Sequence, residues 1–169
     1  PSLNSFQYKP VTYSAWVIVE SYFPLSPGHK FRSIVGRNES GNLTCGILGF
    51  YADQNVSGGI YDNTFSYWMG APATPDHPYS NNIPQLNEWI HVVFSQDASG
   101  DFQYYINGLP THSGNIANSQ TSNISFRIGS RIGDSYWNDK IDDVAIYNRV
   151  LSSVEISNLY FGSAYHYTW

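Results

Sequence analysis

Apolar and polar positions alternate over short distances along most of this chain, and the apolar runs are too short for helices. Tyr13-Ser14-Ala15-Trp16-Val17-Ile18-Val19-Glu20 is rich in β-branched and aromatic residues and is followed by Pro24, Pro27 and Gly28, which predicts a strand and then a loop. Phe31 to Arg37 and Leu43 to Tyr51 flank Asn38-Glu39-Ser40-Gly41-Asn42, a hairpin turn by composition. Gly59 to Gly70 predicts another strand or pair of strands, whereas Ala71 to Leu86 carries four prolines and reads as irregular. Trp89 to Ser95 and Phe102 to Ile106 are predicted strands around the polar turn Gln96 to Asp101, and Asn107-Gly108 supplies a positive-φ turn.

Helical periodicity is confined to the end of the chain. Ser152 and Glu155 stand at capping-box spacing, Val154, Ile156 and Leu159 give an apolar side, and Gly162 can end the helix. Strands at this spacing with one short C-terminal helix predict an all-β fold, an antiparallel sandwich of two sheets. At 169 residues the chain suits one domain over residues 1–169, long enough to bury roughly 70% of its unfolded surface. The start at Pro1 is expected to reflect a processed or excised segment.

Composition narrows the partners. Only 12% of residues are charged while 17% are aromatic, and the formal net charge is -5 with three lysines and five arginines, none clustered. Nucleic acid binding needs Lys and Arg to neutralise phosphates, so that partner is not expected, nor is a polybasic membrane anchor. No apolar run approaches the roughly 20 residues that cross a bilayer, so no membrane insertion is expected. A polar surface with few ions is the kind found on secreted and cell-surface proteins, and an extracellular location is the expectation. Cys45 is the single cysteine, which excludes an intrachain disulfide and is read as a small buried thiol.

Three segments resemble the laminin G-like, concanavalin A-like jelly rolls. They are Ser14-Ala15-Trp16-Val17; Glu88 to Val93 with Tyr105-Ile106-Asn107-Gly108; and Ile128-Gly129 through Lys140-Ile141-Asp142-Asp143 to Leu159. The resemblance implies a jelly roll whose relatives include lectins, adhesion modules, hydrolases and structural domains, so it leaves the function open. One departure is Asp139, where the family often has Gly before the Lys-Ile-Asp-Asp element. In laminarinase-type relatives an Asp on the final strand binds a structural calcium ion, and the matching position here is Asp142. Simple alternation would place Asp142 on the core-facing side with Val144 and Ile146, and Asp143 opposite with Ala145 and Tyr147.

Catalytic motifs are missing. The related enzymes keep their carboxylates in a Glu-x-Asp-x-x-Glu strand, and none of Glu20, Glu39, Glu88 and Glu155 lies in one. The histidines at 29, 77, 91, 112 and 166 show no zinc-site spacing, and His91 is read as a packed, hydrogen-bonded strand residue. The richest candidate surface is the stretch from Tyr61 to Asn82. There Tyr61, Tyr67, Trp68 and Tyr79 offer rings for stacking on a sugar, and Asp62, Asn63, Asn81 and Asn82 offer hydrogen bonds to its hydroxyls. The expectation is a non-catalytic, lectin-like module that binds a glycan or surface glycoprotein. The alternatives are a structural subunit of a filament or virion that self-associates through the aromatic tail 160–169, and a glycan-active hydrolase.

Overall fold

Among the described residues, nine strands and one helix form in the order β1 Val11–Ile18, β2 Phe31–Asn38, β3 Thr44–Tyr51, β4 Thr64–Trp68, β5 Trp89–Gln96, β6 Asp101–Ile106, β7 Leu109–Asn115, β8 Phe126–Ile128, β9 Lys140–Tyr147 and α1 Ser153–Ala164. They belong to a computed structural model that describes residues 10–22, 31–38, 44–52, 63–68, 78–116, 126–130 and 135–164. The strands make two antiparallel sheets, one ordered β7-β6-β5-β1-β9 and the other β4-β3-β2-β8. The expected sandwich with a short C-terminal helix is what forms. Cys45 lies on β3, with its side chain outside the described residues.

All eight residues of β1 are buried, although a half-exposed strand would alternate. Its neighbours β5 and β9 pair along both edges. Its inner side chains, Val11, Tyr13, Ala15 and Val17, join the main core between the sheets. Aromatic stacking organises that core: Tyr67 lies on Phe94 with ring centroids 3.8 Å apart, and Phe50 meets Phe65 edge-on at 5.6 Å. Each such ring withdrawn from water contributes about 2 kcal/mol or more.

The outer side of the five-stranded sheet has its own, smaller core, because α1 packs there. Val93, Tyr105, Leu151 and Ile156 are buried together, with Tyr147 and Leu159 against them. The predicted capping box closes the start of α1: the Ser152 N–H donates to Glu155 Oε2 at 2.8 Å, and the Glu155 N–H donates to Ser152 Oγ at 3.3 Å. Gly162 does not end the helix, which runs on to Ala164. Beside α1, His91 is buried with Nε2 at 2.8 Å from Ser14 Oγ, and its ring clusters with those of Trp16 and Tyr160, with centroids 5.2 Å (His91 to Trp16), 5.6 Å (Trp16 to Tyr160) and 6.1 Å (His91 to Tyr160) apart. The His91 backbone N–H donates to Asn107 Oδ1 at 2.9 Å, so the Asn-Gly turn and this cluster hold one another.

Asp142 does not face the core. The pairing of β9 with β1 shifts between Ser14 and Trp16, so that Asp143 and Val144 together oppose Ala15. Asp143 takes φ 45° to make this bulge, and its N–H donates to Asp142 Oδ1 at 2.8 Å. Val144 and Ile146 still pack on the core, as does Ile141, while Asp142 and Asp143 are both exposed. Alternation fails here because one extra residue reverses it.

Asp139 also has a structural reason. Its Oδ2 lies 2.8 Å from Arg32 Nη1, and both side chains are almost fully buried. Arg32 Nη2 donates to Ser21 Oγ at 3.2 Å, and the Glu20 N–H donates to Asp139 Oδ2 at 3.2 Å. Burial pushes the Arg32 guanidinium down from its ordinary value, and the Asp139 charge opposes that shift. This pair joins β2 of one sheet to the entry of β9 in the other.

Strand β7 has no counterpart among the predicted strands. Its sequence, Leu-Pro-Thr-His-Ser-Gly-Asn, lacks the β-branched alternation that marks a strand, and Pro110 cannot donate to a ladder. It forms because the Asn107-Gly108 turn folds it back on β6, at the outer edge of the sheet, with a register shift between Tyr104 and Tyr105.

Candidate functional site

The segment read as irregular, residues 71–86, is ordered at its end by the edge of the four-stranded sheet. Tyr79 bridges Ser66, the Tyr67 N–H donates to the Pro78 carbonyl at 2.9 Å, and the Ser80 N–H donates to the Phe65 carbonyl at 2.8 Å. Residues 78–80 therefore continue the sheet beyond β4. Tyr104 Oη reaches across from the other sheet and donates to the Pro78 carbonyl at 3.0 Å. These bonds fix the segment beside β7.

At this lateral edge Tyr79 stands almost perpendicular to His112 of β7, with ring centroids 4.7 Å apart and an 81° angle between planes. His112 in turn packs against Phe102, 5.7 Å away. Its Nδ1 is buried without a hydrogen-bond partner, and burial lowers the imidazole pKa from its ordinary value. Below Tyr79 the chain turns through Asn81, whose φ is 56°, and Ser80 Oγ donates to the Asn82 carbonyl at 3.1 Å. Both asparagine side chains are exposed, while Tyr79 is half-buried. The edge thus presents part of an aromatic ring, held by packing, next to two amides that can donate and accept.

The predicted site residues separate accordingly. Tyr79, Asn81 and Asn82 come together. Tyr67 is fully buried against Phe94, because it shares the inward face of β4 with Phe65, and so it is a core residue and not a stacking platform. Asn63 is a buried turn residue at φ 60°, its N–H donating to the Tyr51 carbonyl at 2.8 Å. Tyr61, Asp62 and the side chain of Trp68 lie outside the described residues. His112 was not among the candidates. The signal that points to it is tertiary: β7 must be recognised as a strand before its register with Tyr104 puts His112 beside residue 79.

Asp142 offers a single exposed carboxylate with one oxygen already accepting a backbone N–H. Among the described residues no group of three or more His, Cys, Asp and Glu is placed to hold a metal ion. Of the three described glutamates, Glu155 pairs with Arg149 at 2.6 Å, Glu20 faces Lys140 at 3.9 Å, and Glu88 is exposed just before β5.

Solved structures with the same fold occur in several settings. A candidate carbohydrate binding protein from Bacteroides ovatus matches with a TM-score of 0.65 and 18% identity over 90% of this chain and 41% of its own. Domain 4 of an extracellular arabinanase from Geobacillus stearothermophilus, solved in complex with arabinotriose, matches with a TM-score of 0.63 and 19% identity over 89% of this chain and 66% of its own. A sialidase from Trypanosoma rangeli matches with a TM-score of 0.62 and 22% identity over 93% of this chain and 23% of its own. The chain spans less than two thirds of each of these proteins. No curated protein matches it by sequence. Residues 1–157 match the family of laminin G-like domains described as the concanavalin A-like lectin/glucanases superfamily, and the chain belongs to that superfamily.

Proposed function

We propose that this protein is a non-catalytic carbohydrate-binding module that works outside the cell, and that the edge formed by residues 79–82 and β7 is its binding surface. The observation that carries the reading is the half-buried Tyr79 ring, fixed edge-on against His112 beside the exposed amides of Asn81 and Asn82. A ring ordered before binding loses little conformational entropy, and a sugar face stacked on it gains roughly 1 kcal/mol. The carbohydrate-binding relatives of like fold support the reading, and the polar, weakly charged surface supports the location. Commitment of Glu155 to the helix cap and of Glu20 to Lys140 supports the absence of chemistry.

Titration of the protein with short glycans, arabinotriose among them, tests this. A single site is expected to bind in the micromolar to millimolar range. Tyr79→Ala should weaken binding by about 5- to 10-fold and Asn82→Ala by about 2- to 5-fold, with circular dichroism unchanged. If both variants keep full affinity, the site lies elsewhere on the molecule.

A second reading is favoured by one observation. Val150, Val154 and Phe161 are 41%, 67% and 61% exposed, and Val154 and Phe161 recur seven residues apart along α1. That apolar stripe suits self-association of a structural subunit. A monomeric mass in solution at high concentration, together with glycan binding, removes this reading.

A further inference from the structure

We infer that the ligand of this edge is an uncharged saccharide and that acidic sugars are excluded; the inference rests on the carbohydrate-binding reading above. Recognition of a carboxylate or sulfate on a sugar is strongest when Arg or Lys supplies charge-assisted hydrogen bonds. The described cations are engaged or distant. Arg32 is buried against Asp139, Arg149 pairs with Glu155 at 2.6 Å, and Lys140 faces Glu20. Arg127 is exposed, but on β8, the opposite edge of the four-stranded sheet from β4 and residues 78–80.

Among the described residues, the groups that face this edge are neutral. A charged His112 would leave a buried N–H without an acceptor, since Nδ1 has no partner between the Tyr79 and Phe102 rings. Asn81 and Asn82 each offer a donor and an acceptor, which suits hydroxyl groups that also do both. Among the described residues, exclusion of acidic sugars therefore rests on the lack of a cation at this edge and not on shape.

The test is calorimetric titration of the whole chain at low ionic strength with matched neutral and acidic oligosaccharides, such as galacto- against galacturono-oligomers and gluco- against glucurono-oligomers. Neutral ligands should bind at least about 10-fold more tightly, and their affinity should be nearly flat from about 20 mM to about 500 mM salt. Asn82→Lys, at an exposed position, should strengthen the acidic ligands several-fold while weakening the neutral ones by the roughly 2- to 5-fold expected of Asn82→Ala. Acidic oligomers binding the wild type as tightly as neutral ones would overturn the inference while leaving the carbohydrate reading intact, as would acidic affinities that Asn82→Lys does not raise. Failure of both classes to bind removes both.

Discussion

Buried polar groups set the most informative single-residue behaviour. His91 sits between Ser14 and the Trp16 ring under α1, and burial lowers its pKa from 6.5 to about 4. The unfolded chain therefore takes up a proton near pH 6.5 that the folded chain refuses until about pH 4. Stability is complete above that upper value and falls as the pH drops through the window, by up to about 3 kcal/mol. Glu155, pulled down from 4.5 to about 2 by Arg149 and the Ser152 N–H, adds its own loss only at lower pH. Urea unfolding between pH 7 and 4 should show the slope in the wild type and lose most of it in His91→Gln, although that variant starts less stable. The Arg32–Asp139 pair makes a different prediction. Asp139→Ala strands a buried guanidinium and should cost about 3–5 kcal/mol, whereas the double variant with Arg32→Met should recover much of it.

Elements respond according to what closes them. The start of α1 depends on reciprocal bonds between Ser152 and Glu155, so Ser152→Ala should destabilise the protein by about 1 kcal/mol, measured as a lower midpoint in urea with unchanged slope. That cap was legible in the sequence because both partners are local, three residues apart. The strands β1, β5 and β6 were legible for the same reason, since β-branched and aromatic runs bounded by turn residues carry their own signal. Strand β7 was not, because its residues are small, polar or proline and only pairing with β6 makes them extended. The face of Asp142 was misjudged on similar grounds: a bulge is a property of two strands in register, and a single sequence shows only one of them. The proposed binding edge lies between these cases. Tyr79, Asn81 and Asn82 could be picked out by residue type, but His112, the partner of Tyr79, depends on a contact between sheets.

For the molecule as a whole, the layout leaves few surfaces on which a ligand can rest. One face of each sheet is committed to the main core, and α1 with its buried cluster covers part of the outer face of the five-stranded sheet. Besides the uncovered outer faces there remain rims and lateral edges, and an open strand edge attracts other strands as readily as it attracts a sugar. Pro110 changes that balance. It lies in the exposed edge strand β7, where it withholds one backbone donor beside the register shift that already bends the strand. A neighbouring chain seeking to extend the sheet meets an incomplete template, so copies displayed at high density on one surface can stay separate without a protective partner. Pro110→Val should restore the template while leaving the core untouched. Its expected mark is faster growth of light scattering and thioflavin fluorescence during prolonged warming, at a melting temperature close to that of the wild type.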